Sequence, residues 1–388
     1  VWSLRRTLEE NRATVAGVLS GTSGDGIDVV LAAPQVLRDA RGAARVAGLC
    51  SIAFETRPFP DSVAGRVREA LDGAPLGAPE LALLSRDLGL AFGRAAREFA
   101  RAAGQQLDLV GSHGLTIYHH DGVPEQRGAS LQLGDGDHVS EAAGCSAVSD
   151  FRQRDLAAGG EGAPLSILAD DLLFRGAARP TAILNLGGLA NLSWLPEAGE
   201  PLAFDTGPAG SLLDGFARRL LDRPCDLDGR RAAQGTPRPE LLGRWLAHPY
   251  FARRGPRSTG RDTFGEAWVR GLLDQAGSRA SVDDLLATAV ELVAVTVASG
   301  LEQLPARPSS LWTAGGGTHN PALTEALRRR TGLPVASTSE LGVDPDAREA
   351  LVFAALAVRC VLGEGVTRPS ATGARAGRIL GKISPAGR

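Results

Sequence analysis

Thr14-Val15-Ala16-Gly17-Val18-Leu19-Ser20-Gly21-Thr22-Ser23-Gly24-Asp25-Gly26-Ile27-Asp28-Val29-Val30-Leu31-Ala32 sets two short apolar runs on either side of a segment of glycine, hydroxyl and aspartate residues. Thr14–Leu19 and Ile27–Ala32 have strand length and composition, and Ser20–Gly26 has the residues that reverse a chain, so the stretch reads as a β-hairpin. The design returns about 165 residues downstream. There Thr181-Ala182-Ile183-Leu184-Asn185-Leu186 is followed by Gly187-Gly188 and then by Leu189–Leu195. A strand, glycine turn, strand unit used twice without strong identity between the copies points to two related lobes.

The surrounding chain fills in those lobes. Leu81, Leu84, Leu88, Phe92, Ala95 and Phe99 recur at helical spacing between Pro79 and Gly104 and predict an amphipathic helix. Leu107–Gly111 reads as a strand that runs into Ser112-His113-Gly114. In the second half, Ala203–Pro208 is a strand leading to a loop, with a helix from Ser211 to Leu221. Ser281 caps a long apolar helix that reaches towards Leu304, with Asp284 standing where a capping box places Glu. Leu311–Ala314 is a strand ending in Gly315-Gly316-Gly317. Asn320-Pro321 has the N-cap and first-turn proline of a helix start, and Asp346–Leu362 is a final apolar helix. Strands alternating with helices, with hairpins in both halves, make the fold class α/β.

Composition narrows the chemistry. The chain has 388 residues, enough for two domains with real cores. Lys382 is the single lysine among 42 basic residues and is followed by Ile383, so there is no P-loop lysine and no lysine for ordinary pyridoxal phosphate chemistry. Methionine is absent, and the Arg excess is read as coding bias. Val1 is either an alternative start codon read literally or a truncated start. The net charge of −2 gives no basic footprint for nucleic acid. Cys50, Cys145, Cys225 and Cys360 are scattered, as expected of reduced, mostly buried thiols in a cytoplasmic protein. No apolar leader precedes Asn11, and no uninterrupted apolar run approaches membrane-spanning length, so no membrane partner is expected.

Glycine is the enriched residue, with 49 copies. Four glycine-bearing segments stand at strand ends: Gly21–Gly26, Gly187-Gly188, Asp205–Gly210 and Gly315–Gly317. Each alone could be a turn. Glycine also lets backbone amides ring a phosphate, and an aspartate in such a loop can hold Mg²⁺ through water or act as a base. Four together favour a nucleotide held between two lobes.

The chain resembles the anhydro-N-acetylmuramic acid kinase family, in the sugar kinase, actin and Hsp70 fold group. The resemblance covers nearly the whole chain. It is carried by Gly17–Asp28, Gly111–Thr116, Leu131–Asp135, Asp150–Asp155, Gly159–Leu165, Leu184–Asn191, Phe204–Pro208, His248–Phe251, Ser258–Arg261, Gly315–Gly317, Glu349–Leu351 and Thr372–Ala374. It implies a two-lobed, ribonuclease H-like fold of the actin-like ATPase and sugar kinase kind, with a nucleotide cleft between the lobes. It also implies that ATP and water act on 1,6-anhydro-N-acetylmuramic acid. The anhydro ring opens and N-acetylmuramic acid 6-phosphate forms, in recycling of cell-wall sugars. The N-terminal lobe is expected at 1–148 plus roughly 366–388 and the C-terminal lobe at 149–365, closing about a hinge near 145–152 and again near the C-terminal segment. The family is typically dimeric, so the expected partners are the sugar, ATP and a second copy of the chain.

By the same resemblance, Asp205 is the catalytic base, with Asp150 as the runner-up and helix capping as the alternative role of Asp205. Gly21, Thr22, Ser23, Gly24, Asp25, Gly26, Ile27 and Asp28 form the first ATP loop, with Asp25 linked to Mg²⁺. Asp28 could instead be a solvated hairpin residue. Gly187 and Gly188 are further ATP contacts, and Gly315, Gly316 and Gly317 form the adenosine-side loop. Thr116, Arg152 and Glu349 match sugar contacts. The Arg152 fork suits the lactyl carboxylate, or else pairs with Asp150 or Asp155, and Glu349 could instead cap its helix. His113 is either a sugar contact or a structural residue, and His119-His120 is read as solvated loop.

The chain departs from the family pattern at Gly24 (Leu or Met), Leu115 (Gln), Ala209-Gly210 (Gly-Asn), Glu161 (Gln) and Arg257 (Lys). Leu115 and Ala209-Gly210 bear most directly on substrate. A same-fold kinase for another amino sugar, or a non-catalytic sensor of nucleotide or muropeptide sugar, are the rival readings. A dinucleotide oxidoreductase is excluded by the lack of G-x-G-x-x-G after the first strand.

Overall fold

Both hairpins form. The computed structural model describes residues 2–21, 24–71, 73–123, 126–255, 257–277 and 280–387. Its strands, in chain order, are β1 (Val15–Ser20), β2 (Ile27–Arg38), β3 (Ala44–Arg57), β4 (Leu109–Val123), β5 (Gln126–Leu133) and β6 (Ser146–Ser149). They continue with β7 (Thr181–Leu186), β8 (Leu189–Leu195), β9 (Leu202–Pro208), β10 (Leu311–Ala314), β11 (Val335–Ser337) and β12 (Lys382–Ser384). The chain divides into two units, one running to Arg175 and resuming at Ala347, the other spanning Gly176–Asp346.

In the first unit the sheet order is β12-β6-β4-β1-β2-β3, with β5 pairing off β4. β1 pairs antiparallel with β2 and parallel with β4, and β4 is parallel to β6. Every residue of β1 is buried, as a central strand covered on both faces must be. One face carries Ala16 and Val18 into a core with Leu84, Leu88 and Phe92 of the helix Ala78–Ala102. The other face is opened by two glycines that are register partners, Gly17 on β1 and Gly111 on β4. A Cβ on Gly17 would overlap the Ala350 carbonyl, and one on Gly111 the Phe353 carbonyl, so the helix Arg348–Leu362 lies with its backbone directly on the sheet.

The second unit orders β11-β10-β7-β8-β9. β7, β8 and β9 run antiparallel in sequence, and β10 is parallel to β7 and β11. Strand for strand, β7-β8-β9-β10-β11 repeats the pairing and sense of β1-β2-β3-β4-β6, so the repeat seen in the sequence is a repeat of topology. Its core is built on the helix Val282–Leu301. That helix is long and apolar enough to cross a membrane, yet most of it is buried within the protein, and its Glu291 is paired with Arg329 and Arg330. Ser281 caps it by accepting from the Asp284 amide at 3.1 Å. The Asp284 carboxylate accepts from the Thr236 amide at 2.8 Å and pairs with Arg238.

Three expectations need correction. Residues 149–175 and 347–365, expected in the C-terminal lobe, belong to the first unit. The glycine trough of Gly17 and Gly111 seats the 348–362 helix there, and Arg348 locks it to Asp170 of the helix Ile167–Leu173 through bonds of 3.1 and 2.5 Å, both side chains fully buried. Residues 145–152 are therefore interior to one unit, with β6 held between β4 and β12, and are not a linker between two. Of the cysteines, Cys145 and Cys360 are buried, and burial pushes their thiols up to about 12 and about 11. Cys50 and Cys225 are exposed.

Candidate active site

In the second unit, β7 ends where the Gly187-Gly188 turn begins, β9 ends at Pro208 opposite Leu189, and β10 ends at Ala314, directly before Gly315. The three glycine segments and Asp205 thus share one edge of one sheet, at the carboxyl ends of β7, β9 and β10. Ligands of open α/β sheets bind at such edges. Gly315 takes φ +78°, and a Cβ on it would lie 3.0 Å from the Leu186 backbone; one on Gly317 would lie 2.6 Å from the Leu186 Cβ. Gly316 faces open space. The loop therefore needs glycine to pass the end of β7 and leaves its middle residue accessible.

Asp205 is held from several sides. Asn191, its register partner on β8, donates Nδ2 to Oδ1 at 2.8 Å, and the Thr259 amide donates to Oδ2 at 2.9 Å. Its backbone N–H donates to the Arg257 carbonyl at 2.9 Å. Its carbonyl accepts from the Tyr250 hydroxyl at 2.8 Å and from Arg257 Nε at 3.2 Å. Burial, and next the Asp205 carboxylate, push the Tyr250 phenol above its usual range, so it stays a donor. Arg257 is buried, its guanidinium lying 5.4 Å from the Phe204 and Tyr250 ring centres. A carboxylate whose two oxygens each take a neutral donor, on a backbone clamped at N–H and C=O, has a fixed direction. The sequence singled out Asp205 but not Asn191, Tyr250, Arg257 or Thr259 as its holders, although all four lie in motifs that carry the resemblance or directly beside one.

The helix Gly210–Leu221 after Asp205 is not an open phosphate nest. The amides of Ala209, Gly210 and Ser211 donate to the carbonyls of Gly188, Gly187 and Gly188 at 2.9–3.0 Å. The Asp205–Gly210 segment thus fastens the glycine turn to the helix.

In the first unit the corresponding edge carries the Gly21–Gly26 loop beside Gly114 and Leu115, which pair with Leu19 and Ser20. Thr22 and Ser23 lie outside the described residues. Gly24 has φ +70°, and Asp25 is exposed. Ile27 is buried in the core, and Asp28 accepts from its cross-strand partner Thr56 at 2.6 Å, the hairpin role. Arg152, in the helix Phe151–Ala157, donates Nε to His113 Nε2 at 3.0 Å and Nη1 to the Gly162 carbonyl at 2.7 Å. Because a guanidinium only donates, His113 Nε2 is an acceptor and its proton sits on Nδ1. Burial, and next the Arg152 charge, hold the imidazole well below its ordinary pKa, and it stacks on Phe353 at 4.4 Å. His113 is thus placed as a support for Arg152. Asp155 shapes the loop that receives Arg152: it accepts from Thr372 Oγ1 at 2.7 Å and the Gly162 amide at 2.8 Å, and burial still raises its pKa.

Thr116 on β4 accepts from Gln132 Nε2 of β5 at 3.2 Å. Ser130 accepts from Gln132 at 2.6 Å and contacts His119 Nδ1 at 3.2 Å, so His119 belongs to a polar network rather than to a solvated loop. Glu349 is exposed in the first turn of the 348–362 helix. Asp150, in the left-handed region at φ 57°, is paired with the ammonium of Lys382, the chain's one lysine. No group of three or more His, Cys, Asp or Glu side chains suited to a metal occurs among the described residues.

The sequence profile of the anhydro-N-acetylmuramic acid kinase family matches residues 13–386. The chain belongs to this family. It is 40% identical over 380 residues to an anhydro-N-acetylmuramic acid kinase of Gloeobacter violaceus, covering 96% of this chain and 98% of the relative. A namesake from Salinibacter ruber is 39% identical, with 97% of each chain covered. One from Xanthomonas oryzae pv. oryzae is 39% identical, with 95% and 97% covered.

Within this anhydro-N-acetylmuramic acid kinase scaffold the departures have local reasons. Leu115 is fully buried in the core, because alternation along β4 turns it away from the face that carries Thr116. Gln132 supplies an amide on that polar face. At Gly24 a Cβ would overlap the end of the Leu71 side chain, so Leu71 takes the space a larger residue would fill. A Cβ on Gly210 would lie 2.9 Å from the Gly187 carbonyl, which favours glycine there.

Proposed function

We propose that the chain is the ATP-dependent kinase that opens 1,6-anhydro-N-acetylmuramic acid with water and phosphorylates O6, giving N-acetylmuramic acid 6-phosphate. The observation that carries this is the family match over residues 13–386, with a clamped carboxylate, Asp205, at the glycine-lined sheet edge. Asp205 takes a proton from water as the water oxygen bonds to C1. The C1–O6 bond breaks, O6 bonds to the γ-phosphorus of ATP, and ADP departs. Fixing the acceptor in advance is what makes a general base effective.

Arg152, held by His113 and the Gly162 carbonyl, receives the lactyl carboxylate, with Thr116 and Glu349 on the sugar hydroxyls or amide. The Gly21–Gly26 and Gly187-Gly188 turns take the phosphates and Gly315–Gly317 the adenosine side. Asp25 is exposed on its loop, which suits Mg²⁺, an ion that keeps waters and nucleotide phosphates as its other ligands. Bound there, Mg²⁺ would neutralise charge on the transferring phosphoryl group. No lysine stands in these loops, since the chain's one lysine is paired with Asp150, which leaves backbone amides, hydroxyls and Mg²⁺ to meet the phosphates. The reading includes cytoplasmic residence and a homodimer, the latter checked by sedimentation equilibrium. The test of the base is Asp205→Asn, which should abolish turnover while ATP binding by calorimetry persists; near-native turnover would reject it.

A further inference from the structure

Asn191 and Thr259 each spend one group on Asp205 and keep another in reserve. Asn191 Nδ2 bonds Oδ1 at 2.8 Å, and the Thr259 backbone amide bonds Oδ2 at 2.9 Å. The remaining polar atoms of the same two residues, Asn191 Oδ1 and Thr259 Oγ1, are buried and have no hydrogen-bond partner among the described residues. Buried polar atoms are seldom left unsatisfied, because each forfeits its hydration without return. Two such atoms flanking one carboxylate, from residues 68 positions apart in the chain, call for a common partner. Other unpartnered atoms in the unit, such as Ser193 Oγ, belong to residues that do not hold the Asp205 carboxylate.

The two orphans are chemically unlike. Asn191 Oδ1 only accepts, and the Thr259 hydroxyl can donate. A water molecule matches both. We infer that Asn191 and Thr259 orient the nucleophilic water on Asp205: one water hydrogen goes to the Asp205 carboxylate, the other to Asn191 Oδ1, and the Thr259 hydroxyl donates to one water lone pair. One lone pair is left, and its direction is fixed. As Asp205 removes the first hydrogen, that pair forms the bond to C1 and the C1–O6 bond breaks, its electrons passing to O6. The inference rests on Asp205 being the base.

Thr259 separates this role from a structural one, because its hold on Asp205 is through the backbone amide and survives any side-chain change. Steady-state kinetics with 1,6-anhydro-N-acetylmuramic acid and ATP are measured for the wild type, Asp205→Asn, Thr259→Val, Thr259→Ser and Asn191→Ala, with far-UV circular dichroism on each. Thr259→Val should lower kcat about 10-fold or more with both KM values within about twofold, and Thr259→Ser should restore kcat to within about threefold. Asn191→Ala should lower kcat at least as much. An active wild type and inactive Asp205→Asn alongside a folded Thr259→Val at full kcat would overturn this inference alone. So would a loss confined to sugar KM, or a serine that rescues nothing. A wild type that leaves the anhydro ring closed would overturn the assignment of function itself.

Discussion

Arg348→Met removes one half of the buried pair that fastens the 348–362 helix. Arg348 is 1% exposed and Asp170 is not exposed at all, and the guanidinium meets both carboxylate oxygens in a two-point fork. Solvent cannot screen charges so placed, and the methionine leaves Asp170 ionised without its cation or else forces it to protonate. Breaking such a pair from one side costs about 3–5 kcal/mol, a large share of the roughly 5–15 kcal/mol that holds a domain folded. Replacing both partners with apolar residues of similar bulk removes the stranded charge, so Asp170→Val with Arg348→Met should recover to within about 1.5 kcal/mol of wild type. Urea titration followed by far-UV circular dichroism measures all four corners of this cycle. A single mutant that loses under about 1 kcal/mol would refute the reasoning, as would a double mutant as unstable as the two single losses summed.

Other consequences are separable. His113 titrates well below its ordinary 6.5 in the fold, so the stability it favours is present above that value. It is lost as pH falls below it, with a limiting slope of about 1.4 kcal/mol per pH unit. His113→Gln should flatten the fall in stability between pH 7 and 5 and raise sugar KM through Arg152; parallel wild-type and variant curves would exclude the linkage. Gly17→Ala should destabilise by at least about 1–3 kcal/mol, because its methyl meets the Ala350 carbonyl rather than a flexible side chain. Thermal unfolding unchanged from wild type would exclude the trough. Arg257→Lys keeps the charge but not the fork that reaches the Asp205, Arg253 and Gln303 oxygens. It should cost about 1–3 kcal/mol and lower kcat, and a fully active, equally stable variant would show that the clamp is dispensable.

The hairpins and the repeat were legible because strand-period runs flank glycine turns twice over. The helices were legible to within a few residues: 78–102 against an expected 79–104, and 348–362 against 346–362. The unit boundary was not, because what assigns 347–365 to the first unit is a pair of glycines across two strands and one buried ion pair, all long-range facts. Asp205 stood out through its motif, yet its holders did not. Asn191 is brought beside it by sheet register, Tyr250 by the short helix Pro249–Ala252, and Arg257 and Thr259 by a segment bonded to the middle of β9, the edge strand, none of which spacing along the chain encodes. At Leu115, where the family pattern has Gln, strand alternation places the side chain in the core, a placement that the motif comparison alone does not show. The lysine that served only to exclude mechanisms turned out to pair with Asp150, the competing carboxylate.

The central claim is that water attacks C1 while O6 takes the phosphoryl group. Incubating the protein with 1,6-anhydro-N-acetylmuramic acid, ATP and Mg²⁺ in ¹⁸O-water and analysing the product by mass spectrometry tests it directly. The account predicts one ¹⁸O at C1 and the phosphate on O6 of the same molecule. Phosphate on a sugar whose anhydro ring remains closed, or an opened sugar with the label absent from C1, would contradict it.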